Sequence, residues 1–127
     1  MSLILHLETA TKVCSVALSR NGELVQLKET QEDGYSHGEN LNLFIEAVCK
    51  NENIHLKDLD AVALASGPGS YTGLRIATST AKGLCYGLNI PLIAVSTFQS
   101  MVAGVMKEKN NYDYYVPMID ARRDEVY

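Results

Sequence analysis

The sequence predicts an α/β domain on a mixed sheet, with three antiparallel strands followed by helix–strand crossovers. Three observations predict it. An Asn21-Gly22 pair, whose residues both tolerate positive φ, separates two segments rich in Leu, Val and Ile. Asp60 to Ser66 (DAVALAS) is a nearly continuous apolar run, as expected of a strand covered on both faces. Three stretches with apolar residues at helical spacing alternate with short apolar runs, and helical crossovers are what parallel strands require.

Taken in order, Leu3 to Thr9, Val13 to Ser19 and Glu23 to Thr30 read as an antiparallel meander, with Ala10 to Lys12 as its first tight turn. Ser36-x-x-Glu39 is a capping box, followed by Leu41, Phe44, Ile45 and Val48 along one helix face. After the buried strand, Thr72 to Leu88 carries Leu74, Ala77, Ala81, Leu84, Cys85 and Leu88 at helical intervals, with Thr72 as its expected cap. Pro91 to Val95 is a short strand. Ser96-x-x-Gln99 is a second capping box, leading Phe98, Met101, Val102 and Val105. Tyr114 to Ile119 reads as a strand, Asp120 to Asp124 as a charged turn, and Val126-Tyr127 as the start of an unpaired strand. This order is the plan of the ribonuclease H-like domain, shared by actin, hexokinase and the Hsp70 ATPases. Residues 1–110 are expected to form that domain, and 111–127 the beginning of a truncated second one.

Composition narrows the function classes. The chain has 127 residues, close to the usual size of one domain. Hydrophobic residues at 46% and charged ones at 20% exclude a disordered or low-complexity chain. No apolar run approaches the ~20 residues of a membrane span, and no basic-then-apolar signal pattern opens the chain. Cys14, Cys49 and Cys85 are far apart and form no CxxC pair, so they read as buried thiols in a reducing, cytoplasmic setting. Eleven basic against fifteen acidic residues give a net charge of −4, a poor basis for binding nucleic acid unaided.

Gly67 to Arg75 (GPGSYTGLR) is the most informative stretch. A glycine-rich loop feeding a helix N-terminus can cradle phosphate, with Gly67, Gly69 and Ser70 as its members. It lacks the Gly-Lys-Ser/Thr of a Walker loop, and Thr72 stands where GxGxxG needs its last glycine. The other use of these glycines is to turn the strand tightly onto its helix. Glu8, with Thr9 and Thr11, occupies the strand end where actin-like ATPases place magnesium and touch phosphate; alternatively it accepts bonds from nearby hydroxyls and amides. His6, His37 and His55 form no HxxxH or HExxH set; His6 reads as a strand residue, the other two as solvated. Ala77, Thr78, Ser79, Thr80, Ala81 and Gly83 give their helix an unusually small-sided surface, open to a partner beside the preceding helix.

LETATKVCSVAL (Leu7 to Leu18), SHGENL (Ser36 to Leu41), ASGPGSYTGLRIA (Ala65 to Ala77), AKGL (Ala81 to Leu84) and MIDARRDEVY (Met118 to Tyr127) closely resemble the bacterial TsaB family. That family, glycoprotease-like and of the actin-like superfamily, is a subunit of the machinery that makes threonylcarbamoyladenosine in tRNA. The resemblance implies a non-catalytic pseudoenzyme that pairs with the catalytic TsaD, joined by the small ATPase TsaE. It implies pairing through the two helices after the first three strands, which here offers Ser36, Glu39, Asn40, Leu43, Thr72, Arg75, Ala77, Thr80 and Ala81. No cofactor is expected; the acidic balance allows tRNA contact only within the complex, and the docking face left exposed without its partner predicts a homodimer when the chain is alone. TsaD holds its metal partly through an HxxxH pair whose positions carry Thr97 and Met101 here, and neither replaces an imidazole. Glu8 departs from the aspartate more usual in TsaB, which leaves Glu8, Thr9, Thr11, Gly67, Gly69 and Ser70 as a vestigial phosphate loop. The competing expectations are an ATP-binding phosphotransferase or ATPase of the actin-like class and a metallopeptidase. Asp120, Arg122 and Arg123 are expected either to contact a second domain or partner, or to form a solvated turn.

Overall fold

The computed structural model describes residues 1–31 and 37–127. Ser36, with its half of the first capping box and its place in the expected partner surface, lies outside the described residues.

The meander forms as the sequence predicts. β1 (Leu3–Glu8), β2 (Val13–Arg20) and β3 (Glu23–Gln31) pair antiparallel, Leu5 opposite Leu18 and Ala17 opposite Leu27. The β2–β3 turn puts Asn21 at φ 54° and Gly22 at φ 84°, the mirror-image turn that matches strand twist. β4 (Ala61–Ala65) joins β1 in parallel, Leu5 beside Val62, and β5 (Leu92–Val95) joins β4, giving the order β3-β2-β1-β4-β5. Every residue of β4 is buried, as its unbroken apolar run requires.

Period-two alternation decides the core. Leu3, Leu5 and Leu7 of β1, and Cys14, Val16 and Leu18 of β2, project to one face. Onto that face pack α1 (His37–Asn51) through Leu41, Ile45 and Val48, and α2 (Tyr71–Leu88) through Ala77 and Ala81. Each fully buried Leu or Val contributes about 1.5–3 kcal/mol of transfer free energy. The alanines let α2 lie close to the sheet. Cys14 and Cys49 belong to this core and Cys85 packs at its margin, all as free thiols.

Local details correct the sequence reading. The cap of α2 is Ser70, whose Oγ accepts from the Gly73 amide at 3.3 Å, and Thr72 already lies within the helix. At α3 (Thr97–Glu108) Ser96 is the N-cap but makes no side-chain cap bond, so the second capping box is not formed. His37 is buried rather than solvated, because its Nε2 donates to the Thr11 carbonyl at 2.8 Å. Tyr114 to Ile119 joins no sheet. Instead β6 (Asp120–Arg122) and β7 (Glu125–Val126) form a separate two-stranded sheet, Asp120 opposite Val126, so Val126 has the pairing that the sequence reading denied it. No described helix is long and apolar enough to cross a membrane.

Candidate functional site

The β1–β2 turn and the glycine loop meet at the carboxyl ends of β1 and β4, where the strand order reverses. Their contact is a chain of short hydrogen bonds. The Ala10 amide donates to Glu8 Oε1 at 2.7 Å, and the Ala10 carbonyl accepts from the Ser70 amide at 2.6 Å. Thr9, fully buried, donates through Oγ1 to the Gly73 carbonyl at 2.7 Å. Thr11 Oγ1 accepts from the Val13 amide at 3.3 Å. Glu8, Thr9, Thr11, Gly69 and Ser70 are therefore brought together. Gly67 faces α3, its carbonyl accepting from the Thr97 amide at 2.9 Å. The Gly67–Pro68 peptide is cis.

Two glycines are set by this clasp. A Cβ on Gly69 would stand 2.5 Å from the Ala10 carbonyl oxygen, and one on Gly73 would collide with the Thr9 carbonyl oxygen. A phosphate cradle needs loop amides turned outward. Here the amides of Ser70 and Gly73 are directed to Ala10 and to Ser70 Oγ, inside the protein. Burial pushes the Glu8 carboxyl above its ordinary range, partly opposed by the Ala10 amide. Among the described residues no three His, Cys, Asp or Glu side chains cluster to hold a metal ion.

Beside the clasp opens a cleft of about 1570 Å³, with Lys12, Ser70 and Thr72 on one wall and Thr97, Ser100 and Met101 on another. Thr97 is only 2% exposed, and among the described residues its Oγ1 has no hydrogen-bond partner. Nothing in the sequence marks that hydroxyl as unpaired, because an N-terminal threonine usually caps its helix.

A second surface lies on the outer sides of α1 and α2. Glu39 is exposed, Asn40 half-buried and Leu43 60% exposed on α1. On α2, Thr72 is exposed and Arg75 stacks over the Tyr71 ring at 5.4 Å, while Thr80 is half-buried. Ala77 and Ala81, grouped with these on the sequence, are 1% and 0% exposed and face the sheet. They correct the reading: small size serves core packing there, and neither reaches a partner. The exposed line runs Thr72, Arg75, Ser79, Gly83 and Tyr86, at intervals of three and four. Tyr86, 92% exposed, is the residue sequence reasoning missed, and the same helical spacing would have found it.

The sheet order and the helix-initiating edge define a ribonuclease H-like domain. A Thermus thermophilus RuvC structure superposes with a TM-score of 0.50 over 87% of this chain and 72% of its own, at 11% identity, a likeness of fold alone. The YeaZ structure from Pseudomonas aeruginosa superposes with a TM-score of 0.90 at 33% identity, over 100% of this chain and 57% of its own. The TsaB proteins of Haemophilus influenzae and Escherichia coli K12, named for tRNA threonylcarbamoyladenosine biosynthesis, are 35% and 36% identical over 98% of the chain. These alignments cover 51% and 52% of the two relatives, so the chain spans about half their length. The family model described as TsaD, tRNA N6-adenosine threonylcarbamoyltransferase, matches residues 31–127. The chain belongs to that family, and the named relatives it resembles within it are TsaB proteins.

Proposed function

We propose that the chain serves tRNA threonylcarbamoyladenosine biosynthesis as a non-catalytic subunit that docks and activates a TsaD-type catalytic subunit. The observation that carries this reading is the exposed line of α2 beside Leu43 of α1, in a chain whose named relatives are TsaB proteins. Tyr86 and Leu43 are large apolar groups in water, and Gly83, on the exposed side of α2, leaves open space where a partner helix can come close. Ser70 and Gly73 spend their amides internally, which favours a holding role over a phosphotransferase. In this reading the protein works in the cytoplasm, a TsaE-type ATPase joins the pair, and tRNA is met only within the complex. Residues 111–127 begin a second domain. Alone, the chain covers the same helices by forming a homodimer.

Size exclusion of the chain mixed with its cognate TsaD-type subunit tests the proposal. A stable heterodimer is expected, weakened about tenfold or more by Leu43→Asp or Tyr86→Ala, both exposed and neutral for folding. A heterodimer indifferent to both variants would reject the surface; no association, with a full-length relative run in parallel, would reject the scaffold role. Threonylcarbamoyl transfer by the reconstituted components, with and without the chain, reads the activation.

A further inference from the structure

We infer that two copies of the chain join with α2 of each lying antiparallel against α1 of the other, in a register set by charge. This rests on the reading of α1 and α2 as the docking face, and adds how a second copy fits it.

The two helices carry matching ridges. The outer side of α1 presents Glu39, Leu43, Glu46 and Lys50, all exposed, at intervals of four, three and four. The outer side of α2 presents Arg75, Ser79, Lys82 and Tyr86, also exposed, at the same intervals. Arg75 and Lys82 are the only charged residues of α2, although the whole chain has a net charge of −4. From Glu39 to Glu46 and from Arg75 to Lys82, the ridges agree in spacing and differ in sign.

These charges are unspent. Among the described residues, the side chains of Glu39, Glu46 and Lys82 make no ion pair or hydrogen bond, and Arg75 rests only over the Tyr71 ring. Setting α2 on a second α2 would place cations on cations. Setting it on α1 places each cation beside a carboxylate.

The fold supplies the direction. α1 begins at the β1–β2 turn, where His37 bonds Thr11, and α2 begins there too, where Thr9 bonds Gly73. They lie side by side, a Cβ on Gly38 standing 3.9 Å from Ile76 Cδ1. Both therefore run the same way, and a two-fold axis along them would align all four helix dipoles. An axis across them opposes the dipoles, pairing Arg75 with Glu46 of the second copy and Lys82 with its Glu39. The same register sets Gly83 against Gly38 of the second copy, both exposed, so no side chain holds the backbones apart there. Leu43, 60% exposed in the single chain, is covered between the two ion pairs.

Sedimentation equilibrium of the chain at about 50 and about 500 mM sodium chloride is the test, with circular dichroism as the check on folding. A dimer is expected that the higher salt weakens about tenfold. Arg75→Glu should weaken it about tenfold or more, because the change acts at both symmetric contacts. Adding Glu46→Arg to that variant should restore the dimer. Lys82→Glu should likewise be rescued by Glu39→Lys and not by Glu46→Arg. A dimer that salt tightens, or that Arg75→Glu leaves unchanged, would overturn the pairing of unlike helices. Rescue of Arg75→Glu by Glu39→Arg in place of Glu46→Arg would overturn the antiparallel register. A chain that stays monomeric at low salt would overturn the inference and leave a heterodimer with the TsaD-type subunit standing; loss of that heterodimer as well would remove the docking face itself.

Discussion

Gly69 and Gly73 lie where a single methyl group decides the outcome. At either, alanine would force the β1–β2 turn away from α2, so Gly69→Ala and Gly73→Ala should each cost about 3 kcal/mol in urea unfolding. Gly83 has open space around its Cβ position on an exposed helix side, and Gly83→Ala should stabilise by roughly 0.5–1 kcal/mol. Two half-buried ionisable groups act in opposite directions. His6, bonded to Ser19 Oγ at 2.7 Å, has its pKa lowered by burial, so the unfolded chain binds the proton more readily. Stability should therefore fall as pH drops below the ordinary value of 6.5, and His6→Gln should flatten that fall. Glu8 is raised by burial, so the native state holds its proton longer; stability from this group is present below 4.5 and is lost as pH rises through the folded value. Glu8→Gln should remove that component, seen as a pH-dependent difference in denaturant midpoint from the parent.

At the scale of elements, ends and faces obey different rules. The helix from about 72 to 88 was legible from its spacing, but its cap was not, because Ser70, Tyr71 and Thr72 compete for one boundary. Ser70 wins because its amide is already held by the Ala10 carbonyl, which fixes its non-helical conformation. Ser70→Ala should cost about 1 kcal/mol in thermal unfolding and Thr72→Ala much less; equal effects would refute the assignment. Which small residues of α2 face the sheet was also undecided. Small side chains occur all round the helix, so periodicity alone could not separate Ala77 and Ala81 from Ser79 and Gly83. Tyr114 to Ile119 alternates like a strand, yet a strand needs a neighbour to pair with, and only β6 and β7 find each other.

For the whole molecule, stability and docking draw on separate faces of the same helices. The inner sides of α1 and α2 complete the core with Leu41, Ile45, Ala77 and Ala81, while the outer sides leave Leu43 and Tyr86 in water. Mutations can thus separate folding from association: Ala81→Arg should abolish folding and with it any complex, as circular dichroism would report, whereas Leu43→Asp should spare the fold. Sedimentation of the isolated chain at high concentration should show a dimer that Tyr86→Ala dissociates, and only monomer would count against a shared face.

By itself, the sequence determined the meander, the buried central strand and the sites of the three helices. These follow from turn chemistry and hydrophobic period, which act over a few residues. It also carried the resemblance to TsaB, since GPGSYTGLR and DARRDEVY stand in one chain. Only the tertiary structure decided that the Ser70 and Gly73 amides turn inward, that His37 reaches Thr11, that Thr97 is buried without a partner among the described residues, and that Tyr86 stands clear of the core. Each depends on segments distant along the chain meeting at the edge or face of the sheet, and a residue's own neighbours do not specify which distant groups it will meet.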